Sequence, residues 1–568
     1  MNKYAKRLIK YGIKNYKRYM IIVLILGIIT IIFGSLRPFF LQYLIDEIIS
    51  LQKINILPYF LIFLTGVVAL ERSFNYFFNT YHRKVNFLTI KNEQIKLYNK
   101  IQNSKFVEYS KIDSGDIMSR LLSDIDENAY TMALVLPTMV FNFLWLFVIS
   151  LVLIYLNWQL SLIVFVSLPF YWIIIRSSQS KLQNYSKNER ESFGKLTSSI
   201  KEKLDGQLVI RILGKEKYFL NSISNDATNW SERATKVGIF QITILNIAYF
   251  INYITPVIIL GIGGLFAIRG NMSLGTLIAF YSFVPWIYEP ISIINENFVQ
   301  IHRAEPLSQR FFEILDLPEE ESDGIYSFPK NYDIKYNKVS FTYKDELVLK
   351  DINLYIDKNE KIAIVGTSGS GKSTMMNLLV RLYDPTSGEI LLEDKNLKEY
   401  NLQEIREHIK LVRGNDPLFN MSVKENIMLG DEFSDQEFNK AVKKAKVDKF
   451  INLLDEGYDT IVGERGSKLS DGQRQRVAIA RALIREPKVL ILDEATSGVD
   501  SQTEEEIFEE LKEYDMTLII ISHRLSTIRK ADKVVVLKDG EIIGEGTHNE
   551  LIESSPVYKE IIESQLVV

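Results

Sequence analysis

Uncharged, strongly apolar windows dominate the first half of the chain, at 19–36, 54–70, 128–175, 237–268 and 270–288. A membrane-crossing helix takes ~20 apolar residues, so most windows supply one span. The window 128–175 is long enough for two, and Asn157-Trp158-Gln159 interrupts it with a polar break suited to a surface turn. About six spans are expected. The polar stretches 72–127 and 176–236 are helix-permissive and read as extensions of the spans beyond the bilayer. From Asp333 onward the pattern changes to short β-branched runs such as Ile362–Val365, Val489–Leu492 and Thr517–Ile521, alternating with amphipathic segments. That alternation predicts an α/β domain with a parallel sheet. The expected domains are therefore a membrane domain at 1–304, a connector at 305–332 and a soluble domain at 333–568.

Charge sets the orientation. Lys3, Lys6, Arg7, Lys10, Lys14, Lys17 and Arg18 precede the first span, and further Lys and Arg follow the second and fourth. The links near 46–53, 157–159 and 269–273 are short and poor in both. The positive-inside rule then puts both termini in the cytoplasm. The first apolar run lacks a small-residue cleavage site and ends at Arg37-Pro38, so it is expected to be a retained span of a plasma-membrane protein rather than a signal peptide. A net charge of -3 argues against a nucleic-acid partner. There is no cysteine, which excludes disulfides, thiolate zinc sites and cysteine nucleophiles.

The candidate chemistry lies in the soluble domain. Gly366-Thr367-Ser368-Gly369-Ser370-Gly371-Lys372-Ser373, followed by Thr374, matches G-x-x-x-x-G-K-[ST] between a predicted strand and a predicted helix. Backbone N–H groups of such a loop wrap phosphates, helped by the helix N-terminus. Lys372 is then expected to reach the β- and γ-phosphates and Ser373 to hold Mg²⁺. Asp493 and Glu494 end the strand of VLILDEATSGVD, where doubly wound sheets bind ligands. Asp493 is the expected second magnesium residue, and Glu494 the group that orients or deprotonates an attacking water. His523, just past the strand of TLIIISHR, is a candidate contact to the γ-phosphate.

Taken in order, GTSGSGKST, LSDGQRQRVAIARAL, VLILDEATSGVD and ISHR resemble the nucleotide-binding domain of an ATP-binding cassette transporter. With six spans ahead of it, the chain resembles a half-transporter of the exporter type. The implied fold is six transmembrane helices with long intracellular extensions, followed by an α/β P-loop NTPase domain. The resemblance implies ATP and Mg²⁺ as ligands and ATP-driven export of a peptide, drug-like amphiphile or lipid through a bilayer. It also implies that Tyr343 stacks on adenine and that Asp500 belongs to a loop crossing a dimer interface. Ser470, Asp471, Gly472 and Gln473 would form the signature loop, which caps the ATP of a second cassette. A dimer is therefore expected, the homodimer being the simpler form.

Two positions depart from the family. Asp471 stands where glycine is usual. At ~6 Å and an effective dielectric constant of ~20, its charge would repel a phosphate charge by roughly 3 kcal/mol, unless the side chain turns away or is protonated. Gly414 stands where the family has a glutamine that touches magnesium and the attacking water, with Asn415 as the nearest substitute. An altered signature beside an intact glutamate also fits one half of a heterodimer. An ATP-gated channel or membrane sensor is the reading from a different class. Polar groups in or near the spans, among them Glu71, Arg72, Asn75, Asn295 and Glu296, are candidates for a substrate cavity.

Overall fold

The computed structural model describes residues 3–321, 324–344, 346–522 and 524–566. Among them are six helices long and apolar enough to cross a membrane: α1 (Lys3–Ile49), α2 (Leu57–Gln102), α3 (Val135–Leu156), α4 (Trp158–Asp205), α5 (Glu216–Ile268) and α6 (Leu274–Leu315). The chain forms two compact units, Met1–Gln102 with Ile112–Leu317 and Asn103–Lys111 with Pro318–Val568.

In the first unit the backbone satisfies itself within each helix, as a hydrocarbon surrounding demands. The hydroxyls of Thr30, Thr65, Ser150 and Thr255 follow suit by donating to carbonyls one turn back. The break at 157–159 is tight. The Asn157 side chain caps α4 by accepting from the Leu160 N–H at 3.0 Å, while α3 has already ended at Leu156. Large side chains such as Ile62, Tyr155 and Phe250 stay exposed on the span surfaces, where lipid would cover them.

Helix α6 continues to Leu315, well into the segment expected to be a connector. Its last turns are amphipathic: Phe311, Phe312 and Ile314 are buried with Leu8, Leu97 and Met132. On its polar side Arg310 pairs with Asp116 and with Asp124 (2.8 Å), and Arg120 with Glu313 at 2.9 Å.

The second unit is built on two sheets. An antiparallel sheet has the order β2-β1-β4-β5, from β1 (Ile334–Tyr343), β2 (Glu346–Ile356), β4 (Ser387–Leu392) and β5 (Lys395–Asn396). The larger sheet has the order β10-β9-β3-β8-β7-β6, from β3 (Lys361–Gly366), β6 (Ile409–Arg413), β7 (Val489–Asp493), β8 (Thr517–Ile521), β9 (Lys533–Lys538) and β10 (Glu541–Gly546). It is parallel except for β10. Strands β3, β7 and β8 are buried at every residue, which accounts for their unbroken apolar runs.

Residues 103–111, assigned by sequence to the membrane domain, belong to the second unit. The Lys105 N–H donates to the Pro318 carbonyl at 3.0 Å, Lys105 pairs with Glu321, and Phe106 packs edge-on against Tyr383. Gly388 turns the chain into β4 at φ +73°, and a Cβ there would lie 2.0 Å from the Lys338 carbonyl oxygen. Gly388→Ala should therefore destabilise the protein by at least about 1 kcal/mol, read as a lower thermal midpoint of the purified full chain.

Candidate nucleotide site

The strand register of the parallel sheet gathers the candidate residues at one edge. Asp493 lies opposite Arg413 on one side and Ile521 on the other. Gly366 ends β3, the neighbour of β8. The carboxyl ends of β3, β6, β7 and β8 thus open on the same side, the binding edge of doubly wound sheets.

Gly366–Ser373 turns from β3 into α7 (Lys372–Leu379). Gly369 (φ +79°) and Gly371 (φ +103°) take left-handed backbone that favours glycine. Gly366 is needed for room, since a Cβ there would meet the Leu537 carbonyl oxygen at 2.1 Å. Lys372 is buried and curls over the loop, donating to the carbonyls of Gly366 (2.9 Å) and Thr367 (2.8 Å). Ser370 is buried too, and its Oγ has no hydrogen-bond partner among the described residues. Thr367, Ser368, Gly369 and Ser373 are exposed, whereas Thr374 is buried in α7. A loop with an orphaned hydroxyl, exposed backbone and a buried lysine fits a polyphosphate.

Asp493 is 8% exposed. Burial pushes its carboxyl above the ordinary range, while the Ser373 hydroxyl donates to it and opposes that shift. Burial likewise lowers Lys372, partly offset by Glu494 and Asp493. The Ser373–Asp493 pair is an oxygen donor set suited to a hard divalent cation. Glu494 follows in left-handed backbone (φ +53°), its N–H donating to the Ile521 carbonyl at 3.0 Å. Tyr343 is half-buried at the end of β1, edge-on to Phe341 and Tyr383. His523 lies outside the described residues.

The signature segment begins α8 (Asp471–Leu483). Ser470 is its N-cap: its Oγ accepts from the Gln473 N–H while the Gln473 side chain accepts from the Ser470 N–H at 2.9 Å. Asp471 is exposed and forms an ion pair with Arg474, one turn on. Arg474 sets a counter-charge beside it, at a helix N-terminus that favours an acid. Gly472 is obligatory, since a Cβ would lie 2.5 Å from the Gly498 carbonyl oxygen. Asp500 caps α9 (Ser501–Lys512) by accepting from the Thr503 N–H at 2.9 Å, and these hydrogen bonds hold its carboxyl below the usual range.

Gly414 donates its N–H to the Asp493 carbonyl at 2.9 Å, and a Cβ there would come within 2.6 Å of the Glu494 carbonyl oxygen. Asn415 is exposed. Both line a cleft of about 1120 Å³ shared with Ser373, Arg413, Asp471 and Glu494. Sequence reasoning missed the residue that ties these loops together. Gln475 is buried; its amide donates to the Gly414 carbonyl (3.1 Å) and Ser497 Oγ (3.0 Å) and accepts from the Gly498 N–H (2.8 Å). It also missed Arg413, which bonds Asn377 beside Asp493. Gln475 stands inside LSDGQRQRVAIARAL and Arg413 directly before Gly414, but only the fold reveals their partners.

Comparison with known proteins agrees with this geometry. Residues 349–497 match the ABC transporter family and residues 20–291 match the ABC transporter transmembrane region. The chain is 33% identical over 573 residues to an ATP-dependent lipid A-core flippase of Photobacterium profundum, covering 98% of this chain and 97% of that protein. It is 32% identical over 582 residues to a putative multidrug export ATP-binding/permease protein of Staphylococcus aureus, covering 99% of each. A solved bacterial Atm1-family ABC exporter with ATP bound shares the fold, at TM-score 0.78, 23% identity, and 97% and 98% coverage of the two chains. The chain belongs to the ABC transporter family. It is a multi-pass membrane protein that binds ATP, an ATPase coupled to transport.

Gln475→Leu would strand the Gly498 N–H and the Gly414 carbonyl. It is expected to lower stability by about 1–3 kcal/mol, measured by thermal unfolding of the full chain in detergent.

Proposed function

We propose that this protein is an ATP-driven exporter that works as a homodimer, with its nucleotide-binding domains in the cytoplasm. The observation that carries the reading is the trio Lys372, Ser373 and Asp493, with Glu494 next in the chain, at the open edge of the parallel sheet. ATP would lie along Gly366–Thr374 with its adenine on Tyr343. Lys372 would leave the two loop carbonyls for the β- and γ-phosphates. Ser373 and Asp493 would hold Mg²⁺, which neutralises phosphate charge when bound. Glu494 would orient the attacking water and take its proton, while His523 would steady the γ-phosphate. Ser470, Gly472 and Gln473 would close over the ATP of the second chain, with Asp500 at the interface. The Asp471–Arg474 pair supports this closure, because the neighbouring guanidinium weakens the repulsion a bare carboxylate would bring. Similarity to a lipid A-core flippase and a multidrug export protein supports export of an amphiphile.

Gly414 favours one refinement. The close approach of its backbone to the Glu494 carbonyl leaves no room for the family's glutamine. The Gln475 amide holds that loop in its place, so coupling would run through the backbone of the loop.

Two outcomes follow. Purified alone and reconstituted in lipid, the chain should hydrolyse Mg²⁺-ATP, and Glu494→Gln should slow turnover by ~10²-fold or more with ATP binding retained. No turnover from a folded, ATP-binding sample would overturn the self-sufficient homodimer in favour of a heterodimer. Gly414→Gln, which restores the family residue, should lower hydrolysis in the same assay; a faster enzyme would refute the backbone route.

A further inference from the structure

The open edge of the parallel sheet carries one charge that the group Lys372, Ser373, Asp493 and Glu494 leaves unexplained. Arg413 is the last residue of β6, the outer strand of the sheet, and stands in register with Asp493 of β7. Neighbouring strands lie ~4.8 Å apart, less than the length of an extended arginine side chain. Counted across the edge from β3, the glycine loop comes first, then the end of β8, then Asp493 and Glu494, then Arg413. The cleft that Ser373, Asp493 and Glu494 line is lined by Arg413 as well.

This half-buried guanidinium has no counter-charge. Its Nη2 donates to the Asn377 side-chain carbonyl, a neutral acceptor. It forms no ion pair among the described residues, and the rest of its five-donor fork has no partner there. Asp416, three residues on, accepts instead from the Arg413 backbone N–H at 3.0 Å, which fixes the main chain and not the side chain. Asn377 stands on α7 one turn past Ser373, so the guanidinium is parked a helical turn from the hydroxyl that bonds Asp493. The next residue, Gly414, packs its backbone against Glu494, and no side chain there screens the fork from the cleft. The other arginines of the cleft differ. Arg474 pairs with Asp471 and donates to the Leu469 carbonyl at 2.8 Å, and Arg465 is exposed. An uncompensated cation on the wall of a triphosphate site gains most by bonding phosphate, and a guanidinium does so through paired N–H groups.

We propose that Arg413 is a second phosphate-binding cation of this site: when ATP binds, the side chain leaves Asn377 and bonds the terminal phosphate from the β6 side. The assignment rests on the placement of ATP proposed above. It gives the residue before Gly414 a polar contact that a glycine cannot make.

The test is equilibrium binding of radiolabelled ATP and ADP to the full chain in nanodiscs, in EDTA without Mg²⁺, where nothing is hydrolysed and no metal masks the contact. Arg413→Gln should weaken ATP by about tenfold or more and leave ADP within about twofold. Arg413→Lys keeps the charge without the fork; it should weaken ATP alone by about threefold, and serves if the Gln variant does not fold. Asn377→Ala releases the fork rather than removing it, so ATP affinity should stay within about twofold. A folded Arg413→Gln chain that binds ATP as tightly as the unaltered protein would overturn the assignment. So would equal losses of ATP and ADP in Arg413→Gln and Asn377→Ala, which would make the pair a fastening of the sheet edge. Lys372→Ala separates this assignment from the reading beneath it, and should weaken both nucleotides by about tenfold or more. If it leaves both unchanged, ATP does not lie along Gly366–Thr374, and placement and assignment fall together. If it weakens both while Arg413→Gln weakens neither, the role of Arg413 alone is wrong.

Discussion

One buried amide holds the nucleotide edge of this protein together. Gln475 bonds to the loop after β6 through the Gly414 carbonyl, and to the loop after β7 through Ser497 and Gly498. It stands on the helix that starts with the signature residues. Three chain segments distant in sequence therefore share one set of hydrogen bonds. Because a buried amide is costly to leave half-paired, these segments move as a body or not at all. The glycines around it follow from the same constraint. Gly414, Gly472 and Gly498 each leave room for a backbone carbonyl or a Cβ at less than 3 Å from where their own Cβ would be. The loops pack backbone to backbone, and the amide fastens them.

The electrostatics of the edge show the same economy. Lys372, Asp493 and Glu494 are brought near one another, and burial disfavours the charged forms of Lys372 and Asp493. Each is offset by its neighbours. A polyphosphate and a divalent cation would bring the charges that such a site lacks. Asp471, the position that looked most at odds with a phosphate site, carries its counter-charge one helical turn away.

Much of this was legible in the sequence because the relevant physics is local. Lipid imposes long uncharged runs, so the spans read directly. A glycine loop between strand and helix is a contiguous signal, as are the acids at the end of β7. What failed to read depends on contacts between distant segments. The end of α6 looked like connector because Glu319, Glu320 and Glu321 dominate the eye, yet Phe311, Phe312 and Ile314 find a core and keep the helix going. Gln475 and Arg413 were visible as letters but not as bridges.

The segment 103–111 bears on how this architecture is inherited. It is encoded between two membrane helices, yet its hydrogen bonds, ion pair and aromatic packing are with residues 318–321 and Tyr383. The gene therefore has no single cut that separates the two units. A hybrid that spliced a foreign soluble half at residue 318 would keep a strap fitted to the half it had lost. Recombination between such transporters would have to exchange the strap and the soluble half together, or carry matching changes in both.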